Sequence, residues 1–341
     1  MSKAKEETIK NPLQELVYRM EKLQLLQYES GSEAELEEFI KNSVNNDFTK
    51  DIDDEANRMA LQADLAKWSY ESYNAILTRW SDYHPTIIEA GDLLVISIII
   101  DNQMFLAYRG SANSKNWFRD LQYSQIEARP VSKNYAHKGF VAGYNNIRGK
   151  IRQHLENQFS GGNLLGLHIC GHSLGGALAN LCALDMVNNP ISGVKLKECV
   201  TFGQPRVGNK KFAKECDKKI GKSQHKRYIN SYKPFLFKHT DPVPGQPPVM
   251  ITYMTIWGPR VAFYQHSGKD YRIVFTGKDN QLIYDQENID ISEEEVNTVL
   301  TMSDEELIAY CGGYKTVIDP MAWMAHSIKQ YYAVLAEKAQ S

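Results

Sequence analysis

Three residue types that together cleave esters stand far apart in this chain: a serine in Gly171-His172-Ser173-Leu174-Gly175, an aspartate in DPVPG at Asp241, and a late histidine at His326. A hydroxyl is a poor nucleophile at neutral pH. It becomes a good one when an imidazole takes its proton and a carboxylate orients that imidazole. The stretch HICGHSLGGALANL (168–181) runs β-prone residues into Gly-x-Ser-x-Gly and then into small, helix-favouring residues. That is the context of a nucleophile elbow, which exposes a serine hydroxyl at the tip of a sheet. Gly171, Gly175 and Gly176 keep Cβ atoms out of a crowded turn, and the helix beyond aims its first N–H groups at any anion beside Ser173.

In this kind of fold the chain order is serine, acid, histidine. The acid belongs just past a strand that follows the elbow, and PFLFKHTDPVPG ends such a strand at Asp241, where Pro242 blocks continuation. Asp217 and Asp270 compete for the role, the first in a lysine-rich helix, the second entering a strand. Among nine histidines, His137, His154, His168 and His172 come too early, His225 lies in a basic stretch, and His239 is too near Asp241. His266 and His326 remain. DYRIVFT and QLIYD read as one more hairpin after His266, so only His326 follows the last strand.

Around these residues the chain alternates helix and strand from about 55 to 284. ANRMALQADLAKWSYESYNAIL, NNIRGKIRQHLENQF and Gly175 to about Val187 read as helices. LLVISIII and QMFLAYRG, joined by Asp101-Asn102, read as adjacent strands, followed by NLLGLHIC, CVTFGQP and PFLFKHTD. Apolar strands interleaved with helices imply an α/β fold with a mostly parallel sheet covered on both faces. Residues 1–54 read as a polar helical arm, and 55–341 as the main domain. Capping boxes at Ser292/Glu295 and Ser303/Glu306 open two acidic helices, an insertion near 285–315. Another helix follows Pro320 and carries His326.

With 341 residues, 43 % of them apolar, and a net charge of −2, the chain is that of a well-cored protein and not of a nucleic-acid binder. Five scattered cysteines form no C-x-x-C pair and no Cys/His cluster, so neither a metal nor a disulfide scaffold is expected. The N-terminus lacks the apolar core and cleavage site of a secretory signal, and no apolar run reaches the length of a membrane span. The expectation is a soluble protein, cytoplasmic or exported by a route that the sequence does not reveal. Charge is uneven: ten Lys or Arg between Arg206 and Lys233, and nine acidic residues without a basic one between Asp285 and Glu306. Two solvated faces explain this, as would a basic face drawn to anionic lipid headgroups.

Several segments resemble the class 3 lipase family, the fungal-lipase-type branch of the α/β-hydrolases: AYRGSANSKNWFRDL, AHKGFVAGY, GHSLGGALA, TFGQPRVGN, DPVPGQPP and AHSIKQYY. HSGKDY resembles a family segment whose histidine is not catalytic, which tells against His266. The likeness spans about 60–335. Departures are the N-terminal arm, an insertion around 216–232, the acidic helices, and the missing leader and disulfides of fungal members. The resemblance implies an α/β-hydrolase fold and an oxyanion hole from Ser111 and the N–H of Leu174. It further implies that Asp120 helps hold Ser111, and that Asn116, Trp117, Phe118 and Leu121 belong to a lid that turns an apolar face onto lipid.

The resulting expectation is a serine hydrolase of carboxylic esters of lipids, with Ser173 as nucleophile, His326 as base and Asp241 as orienting acid, and without a cofactor. A phospholipase A1-type enzyme or a short-chain or feruloyl-type esterase is the neighbouring alternative. A catalytically silent hydrolase-fold binding protein is the remote one. The partner expected is a lipid or small ester, with peripheral contact at a lipid interface.

Overall fold

The computed structural model describes residues 48–111, 124–232, 239–241, 243–247, 250–255, 258–275, 281–284 and 326–340. Residues 1–47 of the helical arm, the acidic insertion, Asp120 and the residues expected to form a lid, Asn116, Trp117, Phe118 and Leu121, lie outside them. In chain order the elements are helices α1 (Glu55–Trp68) and α2 (Tyr73–Arg79), then strands β1 (Thr86–Ala90), β2 (Leu93–Ile100), β3 (Gln103–Tyr108), β4 (Gln125–Glu127) and β5 (Tyr135–His137). Helix α3 (Lys138–Phe159), β6 (Gly166–His172), α4 (Leu174–Asn188), β7 (Leu196–Phe202), α5 (Lys210–Cys216), β8 (His225–Tyr232) and β9 (His239–Thr240) follow. Strands β10 (Met250–Thr255), β11 (Gly258–Phe263), β12 (Lys269–Phe275) and β13 (Gln281–Tyr284) and helix α6 (Ile328–Gln340) complete the order.

The main sheet runs β1-β2-β3-β6-β7-β8-β12-β13, with β9 paired to β8. Pairs from β3 through β12 are parallel, and both edges are antiparallel hairpins. The expected mostly parallel sheet is thus its centre. Asp101 and Asn102, at φ 48° and 59°, turn the β2–β3 hairpin, the left-handed pair that a tight two-residue loop requires.

Period-two alternation sorts the sheet's side chains. On β3, Met104, Leu106 and Tyr108 join Leu167 and Ile169 of β6 in one core with α3 and α4. Helix α3 contributes Phe140, Tyr144, Ile147, Ile151, Leu155 and Phe159, a stripe at helical spacing. The opposite face takes Phe105, stacked on His168 at 4.6 Å, and Cys170, whose thiol reaches the Gln62 carbonyl of α1. Asp54 caps α1 by accepting from the Asn57 N–H at 2.9 Å. Helices α1 and α6 pack together, so helices cover both faces.

Several expectations change. The helix read through residues 56–77 divides, because Ser72 caps a new helix by accepting from the Ala75 N–H. The supposed insertion around 216–232 contains β8, a central strand. Its polar residues HKRYINSY mask it, since Lys226 and Arg227 are buried in ion pairs instead of facing water. Lys226 meets Glu198 and Glu55, and Arg227 meets Asp270. The basic run is therefore no single face: Lys211, Lys214, Lys218, Lys219 and Lys222 are exposed, and the two cations on β8 are not. His326 sits on the turn before α6, not inside a helix.

Candidate active site

Ser173 joins the parallel strand β6 to α4 at φ 57° and ψ −126°, a region that L-residues avoid and that costs on the order of 1–3 kcal/mol. The glycines explain how the turn closes. A Cβ on Gly171 would stand 2.4 Å from the Gly175 carbonyl oxygen, and one on Gly175 would stand 2.1 Å from that of Tyr108. Backbone atoms cannot yield to such contacts, so both positions require glycine. The strained serine presents its hydroxyl at the strand's end, directly before the N-terminus of a 15-residue helix.

The three residues expected to cooperate meet there. His326 Nε2 lies 2.9 Å from Ser173 Oγ, and His326 Nδ1 lies 2.9 Å from both oxygens of Asp241. The chain distance is large, 153 positions from serine to histidine and 85 from aspartate to histidine. All three are buried, and Ser173 has no exposed surface. A ring nitrogen facing a carboxylate carries the proton, which leaves Nε2 free to accept from the serine hydroxyl.

Beyond His326, Asp241 is fixed from three directions. Its N–H donates to the Asn230 carbonyl at 2.9 Å, and the Val243 N–H donates to its Oδ1 at 2.9 Å. The Tyr331 hydroxyl donates to Oδ2 at 2.5 Å while accepting the Asn230 N–H at 2.9 Å. Burial and the adjacent carboxylate push the Tyr331 hydroxyl well above its ordinary pKa, so it remains a donor. Gly203, at φ +59°, lets the pair approach: a Cβ there would stand 2.6 Å from Asp241 Oδ2 and 2.9 Å from His326 Nδ1.

Ser111 follows β3 by three residues and is half-buried, as is Leu174, the first residue of α4. The chain just beyond β3 runs against Ser173, since a Cβ on Gly110 would come within 3.2 Å of Ser173 Cβ. His266, the alternative base, serves elsewhere: its Nε2–H donates to the Pro244 carbonyl at 2.7 Å, in the loop after Asp241. Burial and the Arg227 and Arg206 guanidinium groups push its pKa well below the usual value. Asp270 pairs with Arg227, and Asp217 accepts from the Gly268 N–H, so neither competing acid orients the base. Tyr331, Asn230 and Gly203 received no role from sequence, because their service depends on a fold-level meeting that no local pattern records.

Among the described residues no cluster of His, Cys, Asp and Glu could hold a metal ion. No helix there is long and apolar enough to cross a membrane, and Cys170, Cys182, Cys199 and Cys216 are buried free thiols.

Comparison with known proteins adds an independent line. A sequence model described as lipase (class 3) matches residues 105–250. A lipase of Rhizomucor miehei is 32% identical over 140 residues, covering 40% of this chain and 37% of the relative. A secreted mono- and diacylglycerol lipase A of Penicillium cyclopium is 29% identical over 158 residues, 46% of this chain and 47% of the relative. The chain thus spans less than half the length of these relatives. Among solved structures, the Rhizomucor miehei lipase propeptide complex superposes with a TM-score of 0.53 at 25% identity, covering 69% of this chain and 73% of that one.

Proposed function

We propose, on the class 3 lipase model that matches residues 105–250, that the chain hydrolyses carboxylic esters of lipids through an acyl-enzyme. The observation that carries this reading is the unbroken run of contacts from Ser173 Oγ through both nitrogens of His326 to the carboxylate of Asp241. Ser173 Oγ attacks the ester carbonyl carbon as His326 Nε2 takes its proton, and Asp241 steadies the imidazolium. The carbonyl π electrons move onto oxygen, held by the N–H of Leu174 and by Ser111, with the dipole of α4 behind them. The tetrahedral adduct collapses, the alcohol leaves with the proton from Nε2, and an acyl-serine remains. Water repeats the sequence: its proton goes to His326, its oxygen to the acyl carbon, and Ser173 regains its hydrogen as the acid departs.

The likeness to lipases over residues 105–250 and the burial of Ser173 support this substrate class. Ser173 has no exposed surface, which suits a cleft that opens at a lipid surface, with Asn116, Trp117, Phe118 and Leu121 as its cover and Asp120 bracing Ser111. Residues 1–54 and the acidic segment near 285–315 are additions to this domain. The relative from Penicillium cyclopium is a secreted lipase by name, which favours export over the cytoplasm here too.

The test is a substrate series: p-nitrophenyl esters from acetate to palmitate, beside triolein and phosphatidylcholine. The full chain should cleave long-chain esters, and Ser173→Ala should abolish this by roughly a million-fold while folding normally. Turnover in the Ser173→Ala protein refutes the nucleophile assignment. A short-chain optimum without lipid cleavage moves the substrate class to small esters.

A further inference from the structure

His172 fills a variable position of Gly-x-Ser-x-Gly, where the turn itself asks nothing of the side chain, yet both its nitrogens are committed. Nε2 lies 2.8 Å from the His326 carbonyl oxygen, and Nδ1 lies 2.8 Å from the Tyr70 hydroxyl. A carbonyl only accepts, so the ring's proton sits on Nε2. Nδ1 must then accept, and the Tyr70 O–H is its donor. The Tyr70 oxygen also lies against the main chain of Gly110, where a Cβ would stand 2.2 Å from it. The chain of bonds from Tyr70 through His172 to the His326 carbonyl therefore runs in one sense throughout.

Tyr70 and His172 thus link two segments that share no strand: the residues just after β3, immediately before Ser111, and the turn that carries His326. We propose that His172 is a positioning residue which, anchored by Tyr70, fixes the main chain of His326 relative to the oxyanion loop and presents an uncharged ring to the base during turnover. The rings of His172 and His326 lie 4.5 Å apart, tilted by 33°. When His326 takes the serine proton, a charged neighbour at that distance would oppose it. His172 cannot accept a proton at Nδ1 without turning the Tyr70 hydroxyl away. Burial first, and the His326 charge second, hold its pKa well below the ordinary histidine value. Besides His326, the aromatic groups packed against it are Tyr70 and Tyr331, with ring centroids at 5.8 Å and 6.0 Å. Burial raises the pKa of both phenols, so neither brings charge to the ring.

This inference rests on the triad reading, and its test separates the two. Wild type, Tyr70→Phe, His172→Phe, the double variant and His172→Gln, each as the full chain, are assayed on p-nitrophenyl butyrate and for inactivation by an alkyl fluorophosphonate. Each Phe variant should lose about tenfold in kcat and in inactivation rate with KM unchanged, as expected when a buried hydrogen bond is cut. The double variant should be no slower than the slower single one, since the bonds act as one unit. His172→Gln, which restores a donor near the Nε2 position, should recover part of the loss. An active wild type whose Phe variants stay within threefold of it, or whose losses multiply in the double variant, overturns the inference. A wild type that neither hydrolyses nor reacts defeats the triad reading and this inference together. Nitrogen-15 NMR of the wild-type imidazoles serves should a variant fail to fold: a His172 proton on Nδ1 is refuting.

Discussion

Gly203→Ala tests whether the acid–base pair is held by the shape around it. Gly203 carries no chemistry, but its φ of +59° and its place against the triad make it sensitive. An alanine there incurs the left-handed penalty, roughly 1–2 kcal/mol. Its methyl would also stand 2.6 Å from Asp241 Oδ2, about 0.8 Å inside the 3.4 Å at which ordinary contact begins. The carboxylate cannot simply retreat, because the Tyr331 hydroxyl and the Val243 N–H grip its two oxygens. The displacement therefore falls on the Asp241–His326 contact, and a misplacement near 1 Å in a catalytic group costs on the order of 100-fold. Steady-state hydrolysis of p-nitrophenyl butyrate should show kcat down roughly 100-fold with KM nearly unchanged. The melting temperature should fall by a few degrees, consistent with the backbone penalty. A folded Gly203→Ala protein with kcat within threefold of wild type refutes the argument, because the pair would then tolerate the displacement.

Two further outcomes distinguish roles within the site and below it. His326→Ala should match the loss of Ser173→Ala, whereas His266→Ala, which removes only a brace on the Pro244 carbonyl, should cost about tenfold or less in kcat/KM; a dead His266→Ala beside an active His326→Ala reverses the base assignment. Under the sheet, burial alone would raise the Glu198 carboxyl, but His168, Lys226 and Arg58 outweigh it and hold it at about 2. A depressed folded pKa stabilises above the unfolded value, so this contribution should be present above about pH 4.5 and lost as pH falls toward about 2. Thermal melts of wild type and Glu198→Gln across that window should converge at the acid end, and a constant separation between them contradicts the linkage.

The elbow was legible because its cause is local. Backbone crowding at Gly171 and Gly175 forces glycine into the sequence itself, and the β-branched run of β2 and the apolar stripe of α3 announce themselves similarly. Asp241 was legible as an aspartate between a strand and a proline. His326 was placed only by elimination and resemblance, since nothing near AHSIKQYY encodes a contact 153 positions away. Strand β8 was missed for a physical reason: Lys226 and Arg227 belong to buried ion pairs, so its sequence looks solvated although its backbone is central. Tyr70 and His172 were opaque because one segment supplies the donor and another the acceptor.

That opacity bears on how the site is assembled. The elbow can form wherever β6 and α4 form, but the placing of Asp241 and His326 depends on α6, which contains none of the three proposed triad residues. From that helix Tyr331 grips Asp241, and Gln330 accepts from the Asn230 side chain at 2.8 Å. Lys67 of α1 lies 3.7 Å over the ring of Tyr332. A hydrogen-bonded imidazole and carboxylate alone do not offset the cost of fixing the residues around them, because each fixed residue costs roughly 1–2 kcal/mol of backbone entropy. Burial of Tyr331 through Ala336 supplies the compensating term, each large apolar side chain contributing roughly 1.5–3 kcal/mol. Ser173 is thus held by local strain and His326 by distant packing. Faults in α6 should for that reason silence the base while leaving Ser173 in its turn.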